Sequence, residues 1–511
     1  MDKEKDEHRR SRARNTAPPP KRATRYGQLI NPFTPQAAFS QDEITAIHDT
    51  ALRVLEELGI KVLLAQAREL FAKAGAVCED GMMVRIGRDI VENALGTAPR
   101  VIHAHAGAGH RDLVFAPGLL SFMSGAGSPN VTDLVGGRRP AMLADFNAIA
   151  KVSQHFDVMH YITASVEPQD VPLNLRHYAT MKSQIELSDK LPFAYARGTP
   201  QVVESFEMLA LARGLSPEDF SRNVHCFTVI NTNSPRQLDI PMAQGIIDFA
   251  IWGQVSIITP FCLAGAMAPI TIAGALALQH AEALAGIALA QIARPGAPVI
   301  YGSFASSVDM RSGSPAFGNP EHFKSALGAG QLARHIGLPW RAGGGTAANT
   351  ADAQAAHESQ FAVWGSVLGG ANVLIHAAGW MEGGISVSME KLITDIEMLQ
   401  MIAELCVSTP GDADAIGFDA IAEVAPGGHF FSAAHTMSRY RTEFYEPLVA
   451  DWSNFGNWTA AGGKTATERA TKIWQDIVAG FEPPPTAKAL KGVLDDYIAS
   501  KSQKGGAEPV S

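Results

Sequence analysis

The residues of this 511-residue chain that could do chemistry are aromatic rings, arginines and a run of glycines. Phe122, Phe261, Tyr301, Phe304 and Trp380 fall at or near the ends of short apolar runs. Rings gathered round a pocket bind cations through the ring quadrupole, and quaternary ammonium is the usual ligand of such a cage. The same rings could instead fill a layer of core. Gly343-Gly344-Gly345 would let a ligand approach the backbone closely, or make a plain flexible turn. Gln354, His357 and Glu358 share one helix face through i, i+3 and i+4 spacing. There they could hydrogen-bond the polar end of a substrate, or pack on the fold with their polar tips satisfied. Arg197, Arg311 and Arg341 are candidates for holding a carboxylate.

Other chemistries find no support. There is no H-E-x-x-H, no P-loop and no G-x-S-x-G elbow. His280-Ala281-Glu282 resembles half of a zinc-deaminase signature, but the P-C-x-x-C half is missing, so no metal is expected and Glu282 reads as structural. Cys78, Cys226, Cys262 and Cys406 lie far apart, as the reduced and mostly buried thiols of a cytoplasmic enzyme would. Lys plus Arg is 42 against Asp plus Glu 51, a net charge of −9, which argues against binding nucleic acid.

The elements that must position these residues are regular. Apolar runs at 119–124, 161–167, 192–198, 225–231, 255–262, 298–304, 339–344 and 372–378 read as buried parallel strands. Helical stretches lie between them, for example 172–188, 200–213, 270–292 and 352–368. Eight such repeats predict an α/β fold, a (β/α)8 TIM barrel over 116–408, with an open doubly wound sheet as the competitor. No G-x-G-x-x-G follows the first strand to favour the latter. In a barrel, chemistry sits where strands end, here near Glu167, Arg197, Asn231, Asn233, Tyr301, Ser303, Phe304, Gly343 to Thr346, Trp380 and Glu382.

Flanking segments complete the division. A basic, proline-containing segment, 1–28, is expected to be disordered. Residues 29–115 form a small N-terminal α/β extension. Its first helix carries a Ser40/Glu43 capping box, a stripe of Ile44, Ile47, Ala51, Val54, Leu55 and Leu58, and a stop at Gly59. A helical, aromatic C-terminal extension spans 409–500, and 501–511 is expected to fray. The uncharged run Ile257–Leu278 holds Pro260 and Pro269, so it reads as a buried strand, a loop and an Ala-rich helix, with no membrane contact.

The chain resembles the trimethylamine:corrinoid methyltransferase family from about residue 30 to 495. The likeness rests on AEALAGIALAQ (281–291), PVIYGS (298–303), DMRSGSPAFGNPE (309–321), Gly337-Leu338-Pro339, DAQAAHE (352–358), Gly370-Ala371-Asn372 and Ser388-Met389-Glu390. It implies a (β/α)8 barrel. In AGGGT (342–346), the family's pyrrolysine position falls on Gly345, and Thr346 matches the serine that follows. Members without pyrrolysine are similar to glycine betaine:corrinoid methyltransferases. The resemblance therefore implies methyl transfer from a quaternary amine such as glycine betaine to the Co(I) corrinoid of a separate, cognate corrinoid protein. No tightly bound cofactor or metal is expected on this chain.

Gly345 and Thr346 are then the catalytic positions, with Phe122, Tyr301, Phe304, Trp380, Gln354, His357 and Glu358 round the substrate or the corrinoid entrance. The missing side chain at Gly345 is expected to leave room for a substrate tail. A cytoplasmic homo-oligomer is expected. The alternatives are a corrinoid-independent transferase to a folate or thiol acceptor, and a non-catalytic quaternary-amine binding protein.

Overall fold

Six strands form a parallel ladder in the order Phe227–Ile230, Val255–Ile258, Val299–Gly302, Trp340–Gly343, Val373–Ile375 and Leu119–Phe122. Tyr161–Ile162 pairs in parallel with Leu191–Pro192. Isolated parallel bridges, Phe122 to Met159 and Phe193 to Phe227, link that pair to the two ends of the ladder. The computed structural model describes residues 26–79 and 81–510. The fold is α/β, and all eight expected strands are present, each shorter than its apolar run.

The long apolar run divides as its prolines require. Val255–Ile258 ends before Pro260, a second strand spans Phe261–Ala264, and Thr271 caps the helix Ile272–Ala293 by accepting from Gly274 N. That helix is long and apolar enough to cross a membrane, yet most of it is buried inside the protein. Its alanines let the helices Gln41–Arg53, Arg88–Thr97, Ile240–Ile251 and Pro320–Ile336 pack closely against it.

Short second strands stand above the ladder and carry the aromatic residues. Phe261–Ala264 pairs with Phe304–Val308, and Trp380–Met381 pairs with Ser386–Ser388. Phe261, Phe304 and Trp380 are each the first residue of such a strand. This places all three rings just beyond the ends of the parallel strands.

The capping box at Ser40 and Glu43 forms as expected, and Ile44, Ile47, Ala51 and Leu55 are buried. Leu58 is exposed, contrary to the stripe. The helix widens into a π-helical turn at Val54–Leu58, and that turn rotates the last position out of phase.

The expected disordered segment 1–28 lies outside the described residues except for its last three. Those three are tied down: Tyr26 is buried, and Gln28 exchanges hydrogen bonds of 2.6 and 2.9 Å with the Val114 backbone. Nor does the C-terminal stretch fray as expected from 501. The helix Asp495–Gln503 carries Lys501 to Glu204 and Glu207, Ala507 N donates to Asn174 O, and Val510 N donates to Arg197 O. Ion pairs and backbone bonds to distant helices hold it, a contact that local composition does not show. The cysteines are free, with Cys226 and Cys262 buried, Cys406 half-buried and Cys78 exposed.

Buried neutral histidines make the fold acid-sensitive. His160 accepts from Phe122 N through Nδ1 at 3.0 Å, and its Nε2 faces Gly27 O at 2.9 Å, so the ring is the neutral Nε2–H tautomer. Burial pushes its pKa down to about 4, and burial does the same at His322. The unfolded chain then binds more protons than the folded one between about pH 6.5 and 4, so stability falls as pH is lowered through that window. Urea midpoints measured from pH 7 to 4 should drop, and His160→Gln should flatten part of the slope. An unchanged midpoint at pH 4 would contradict this account.

Candidate functional site

The C-terminal ends of the parallel strands surround a cavity of about 390 Å³. Gly127 and Glu167 enter from the first two strands, Tyr195 and Arg197 from the third, and Asn231 from the fourth. Phe261 and Phe304 follow the fifth and sixth strands, Arg341 lies in the seventh, and His376 and Trp380 follow the eighth.

One wall is a continuous set of rings. Phe304 stacks on Phe317 at 5.1 Å and lies 5.4 Å from Phe261. Trp380 meets Phe304 edge-on at 5.8 Å and stacks against His376 at 4.7 Å. The glycines are where they are to admit these rings. A Cβ on Gly125 or Gly384 would stand 2.6 Å from the Trp380 indole, and one on Gly343 would stand 2.5 Å from Phe304. A Cβ on Gly345 would stand 2.2 Å from Trp380 Cε3, and its φ of +106° is one that side chains rarely adopt. The glycine run thus seats the protein's own rings. The room expected beside Gly345 is already filled by the indole, and Gly345 is not part of the cavity lining.

Six other expected positions lie outside the cavity lining. Phe122 is buried in the core outside the lining. Tyr301 faces the other side of its strand, where its hydroxyl meets Gln279 Nε2 at 3.2 Å and His280 Nδ1 at 3.0 Å on the helix Ile272–Ala293. Strand alternation sends it outward. Thr346, Gln354 and Glu358 form a separate knot. The Glu358 carboxylate accepts from Thr346 Oγ1, from Ala347 N at 2.9 Å, from Ala348 N at 3.2 Å and from Gln354 Nε2 at 2.8 Å. They hold the loop after the glycines and do not line the cavity. His357 is exposed and stacks on Phe361, because its helix face turns away from the strand ends. Phe261, Phe304 and Trp380 are the three expected ring positions that the structure brings to the cavity.

Charge in the cavity is uneven. Glu167 accepts from Arg176 Nη1 at 3.0 Å and from both terminal nitrogens of Arg197, whose guanidinium lies 4.4 Å from the Tyr195 ring. Arg341 is fully buried, donates to Ser303 O at 3.0 Å and lies over Phe304 at 5.1 Å. Among the described residues no carboxylate lies within ion-pair distance of it, and its Nε has no partner. Burial pushes its pKa down to about 9. Arg311 sits in an exposed turn and is not part of the lining.

His376 was missed. It has a φ of +59°, its Nδ1 has no partner, and burial holds its pKa well below the usual value. The expected strand 372–378 hid it, because the strand stops at Ile375, one residue before that left-handed turn. Glu282 is structural as expected: it accepts from Thr232, Ser234 and Arg236 N, which shapes the loop after Phe227–Ile230.

An α/β fold with a ring-walled, cation-lined cavity at its strand ends has the layout of an enzyme that binds and orients a small charged molecule. A family described as trimethylamine methyltransferase (MTTB) matches residues 5–506. The chain belongs to this family and is a methyltransferase. It is 35% identical over 484 residues to a glycine betaine methyltransferase of Desulfitobacterium hafniense strain Y51, covering 94% of this chain and 100% of that one. It is 30% identical over 474 residues to the trimethylamine methyltransferase MttB of D. hafniense strain DSM 10664 / DCB-2, covering 92% and 95%. The crystal structure of the Methanosarcina barkeri monomethylamine methyltransferase (MtmB) aligns with a TM-score of 0.47 at 9% identity, covering 86% of this chain and 93% of that one.

The seat of Trp380 can be tested at Gly345. Gly345→Ala should either displace the indole or destabilise the fold by about 1–3 kcal/mol, the range for an overpacked site. Tryptophan fluorescence and the melting midpoint report the two outcomes. A variant unchanged in both would show that the indole does not rest on this glycine.

Proposed function

We propose that the chain transfers a methyl group from a quaternary amine, such as glycine betaine, to the Co(I) corrinoid of a separate protein. The observation that carries this reading is the wall of Phe261, Phe304 and Trp380, with the indole filling the space over Gly345. Aromatic faces suit a permanently charged ammonium that offers no N–H to a hydrogen-bond acceptor. The parallel pairings round all eight strands, including the two bridges, support a closed (β/α)8 barrel over 116–408 with this cavity at its mouth.

The corrinoid, when docked, supplies the nucleophile that accepts the methyl. Apart from the neutral imidazole of His376, which is stacked on Trp380, the lining offers no nucleophile of its own. Glu167 is held by two arginines. Burial raises the Tyr195 phenol well above its usual pKa, and its hydroxyl donates to Ala164 O. On this reading the methyl acceptor comes from outside the chain. What remains for the chain is to orient one N-methyl toward the opening and to keep water away, which is a positioning task. A quaternary nitrogen leaves as a neutral tertiary amine, so no side chain need protonate it. The hydrogen bonds of Thr346, Gln354 and Glu358 fit this reading: they hold the loop that follows Gly345 and lie outside the cavity lining.

Two measurements test the reading. With a reduced corrinoid protein, cobalt absorbance should report methyl transfer from a betaine and none above background from trimethylamine, which is protonated at neutral pH. Trimethylamine as the preferred donor would overturn it. Trp380→Ala should weaken binding of a quaternary amine by about 0.5–2 kcal/mol, the worth of a cation over a ring, whereas Tyr301→Phe should leave it unchanged. Calorimetric titration gives both values.

A further inference from the structure

We infer that residues 412–444 form an arm that docks on the same arm of a second copy of this chain. Three short helices, Ala413–Ile416, Phe418–Glu423 and Ala434–Arg439, shape it. Among the described residues, every hydrogen bond made by 412–444 stays inside the arm. None of its large apolar side chains is buried: Ile416, Phe418, Ile421, Phe431, Met437 and Phe444 are 55–80% exposed. Fixing each residue costs about 1–2 kcal/mol of backbone entropy, and no apolar core within the arm offsets it. An interface has to supply that core.

The surface has the size of a subunit contact. At roughly 150–250 Å² for a whole ring, these six side chains together present on the order of 800 Å². A standard interface takes about 800 Å² from each partner, whereas the largest apolar patch of a monomer is ordinarily about 300–600 Å². The arm also carries its own complement. Between Ala413–Glu423 and Ala434–Arg439 lies a cleft of about 790 Å³, walled by Phe418, Ala420 and Ala434 and tied by the ion pair of Asp414 with Arg439. Phe431 and Phe444, the two most exposed rings of the arm, stand outside that lining. A cleft and free rings on one segment are what a two-fold contact needs, since each copy then offers the rings that fill the other's cleft.

Position selects a second copy over a methyl acceptor. The helix Met389–Leu405 starts directly after Ser386–Ser388, above the ladder, and runs roughly 25 Å away from there. The arm leaves the far end of this helix. It is tied back by Tyr445 to Gln400 at 3.3 Å and by Leu448 N to Glu397 at 2.8 Å. Its roots therefore lie away from the cavity mouth, where anything that meets a bound ligand must approach. An arm without its own core also needs a partner that is always present, and another copy of the chain is present wherever the chain is made.

Sedimentation of the intact chain at micromolar concentration should give a dimer or a multiple of it. Phe431→Glu combined with Phe444→Glu should weaken the association at least about a hundredfold, as the loss of two interface anchors does. Both rings are exposed in the single chain, so the circular dichroism of the double variant should match the parent. Trypsin should cut at Arg439 and Arg441 slowly in the parent and rapidly in the variant. A parent chain that sediments as a monomer overturns the inference, and this measurement requires no variant to fold. So does a dimer whose dissociation constant the double variant leaves within threefold, or an arm cut equally fast in both. A monomeric parent that binds its corrinoid protein through these rings overturns it as well and assigns the surface to that protein. Methyl transfer is a separate readout, and its failure would leave this inference standing.

Discussion

The indole of Trp380 lying against Gly125, Gly345 and Gly384 is the contact on which the top of the molecule depends. Each of these glycines stands where a side chain would strike the ring, so three separate loops close on one flat surface. His376 stacks on the indole, and Phe304 and Phe317 meet it edge-on. Individually these contacts are weak, but close packing sums many of them and leaves the ring one position. That position sets the wall of the cavity.

Loops that carry such a wall need fixing from behind, and the chain uses one device repeatedly. Glu358 gathers the hydroxyl of Thr346 and the amides of Ala347 and Ala348. Glu282 does the same for Thr232, Ser234 and Arg236, and Glu397 accepts from the amides of Leu448, Val449 and Ala450. In each case a helical carboxylate satisfies loop donors that would otherwise be left without partners. Acidic residues that look catalytic by type are here the fasteners of the loops.

Buried charge follows two patterns, and the contrast between them is chemical. Lys391 and Asp395 neutralise each other, and Arg197 and Arg176 share the carboxylate of Glu167. Arg341 lies equally deep with only a carbonyl and a ring for company. Desolvation without a counter-ion makes this the costlier of the two patterns.

The alternation of apolar runs with helical stretches determined the α/β fold and the eight strands, because period-2 and period-3.6 patterns are local properties. The Ser40–Glu43 cap and the split of the long apolar run at its prolines were legible for the same reason. So was the rule that strand ends carry the site, which reached Phe304, Trp380, Glu167, Arg197 and Asn231. Which way a residue faces was not legible. Tyr301 and Phe304 lie three residues apart, an odd spacing that puts them on opposite faces, but which of the two meets the cavity is decided by the helix Ile272–Ala293 packing over Tyr301. The turn of His376, the inward face of Glu358 and the docking of residues 501–510 likewise depend on partners tens to hundreds of residues away. Sequence spacing carries no record of such contacts, and only the tertiary structure decided that the glycine at 345 seats a tryptophan and leaves no open space.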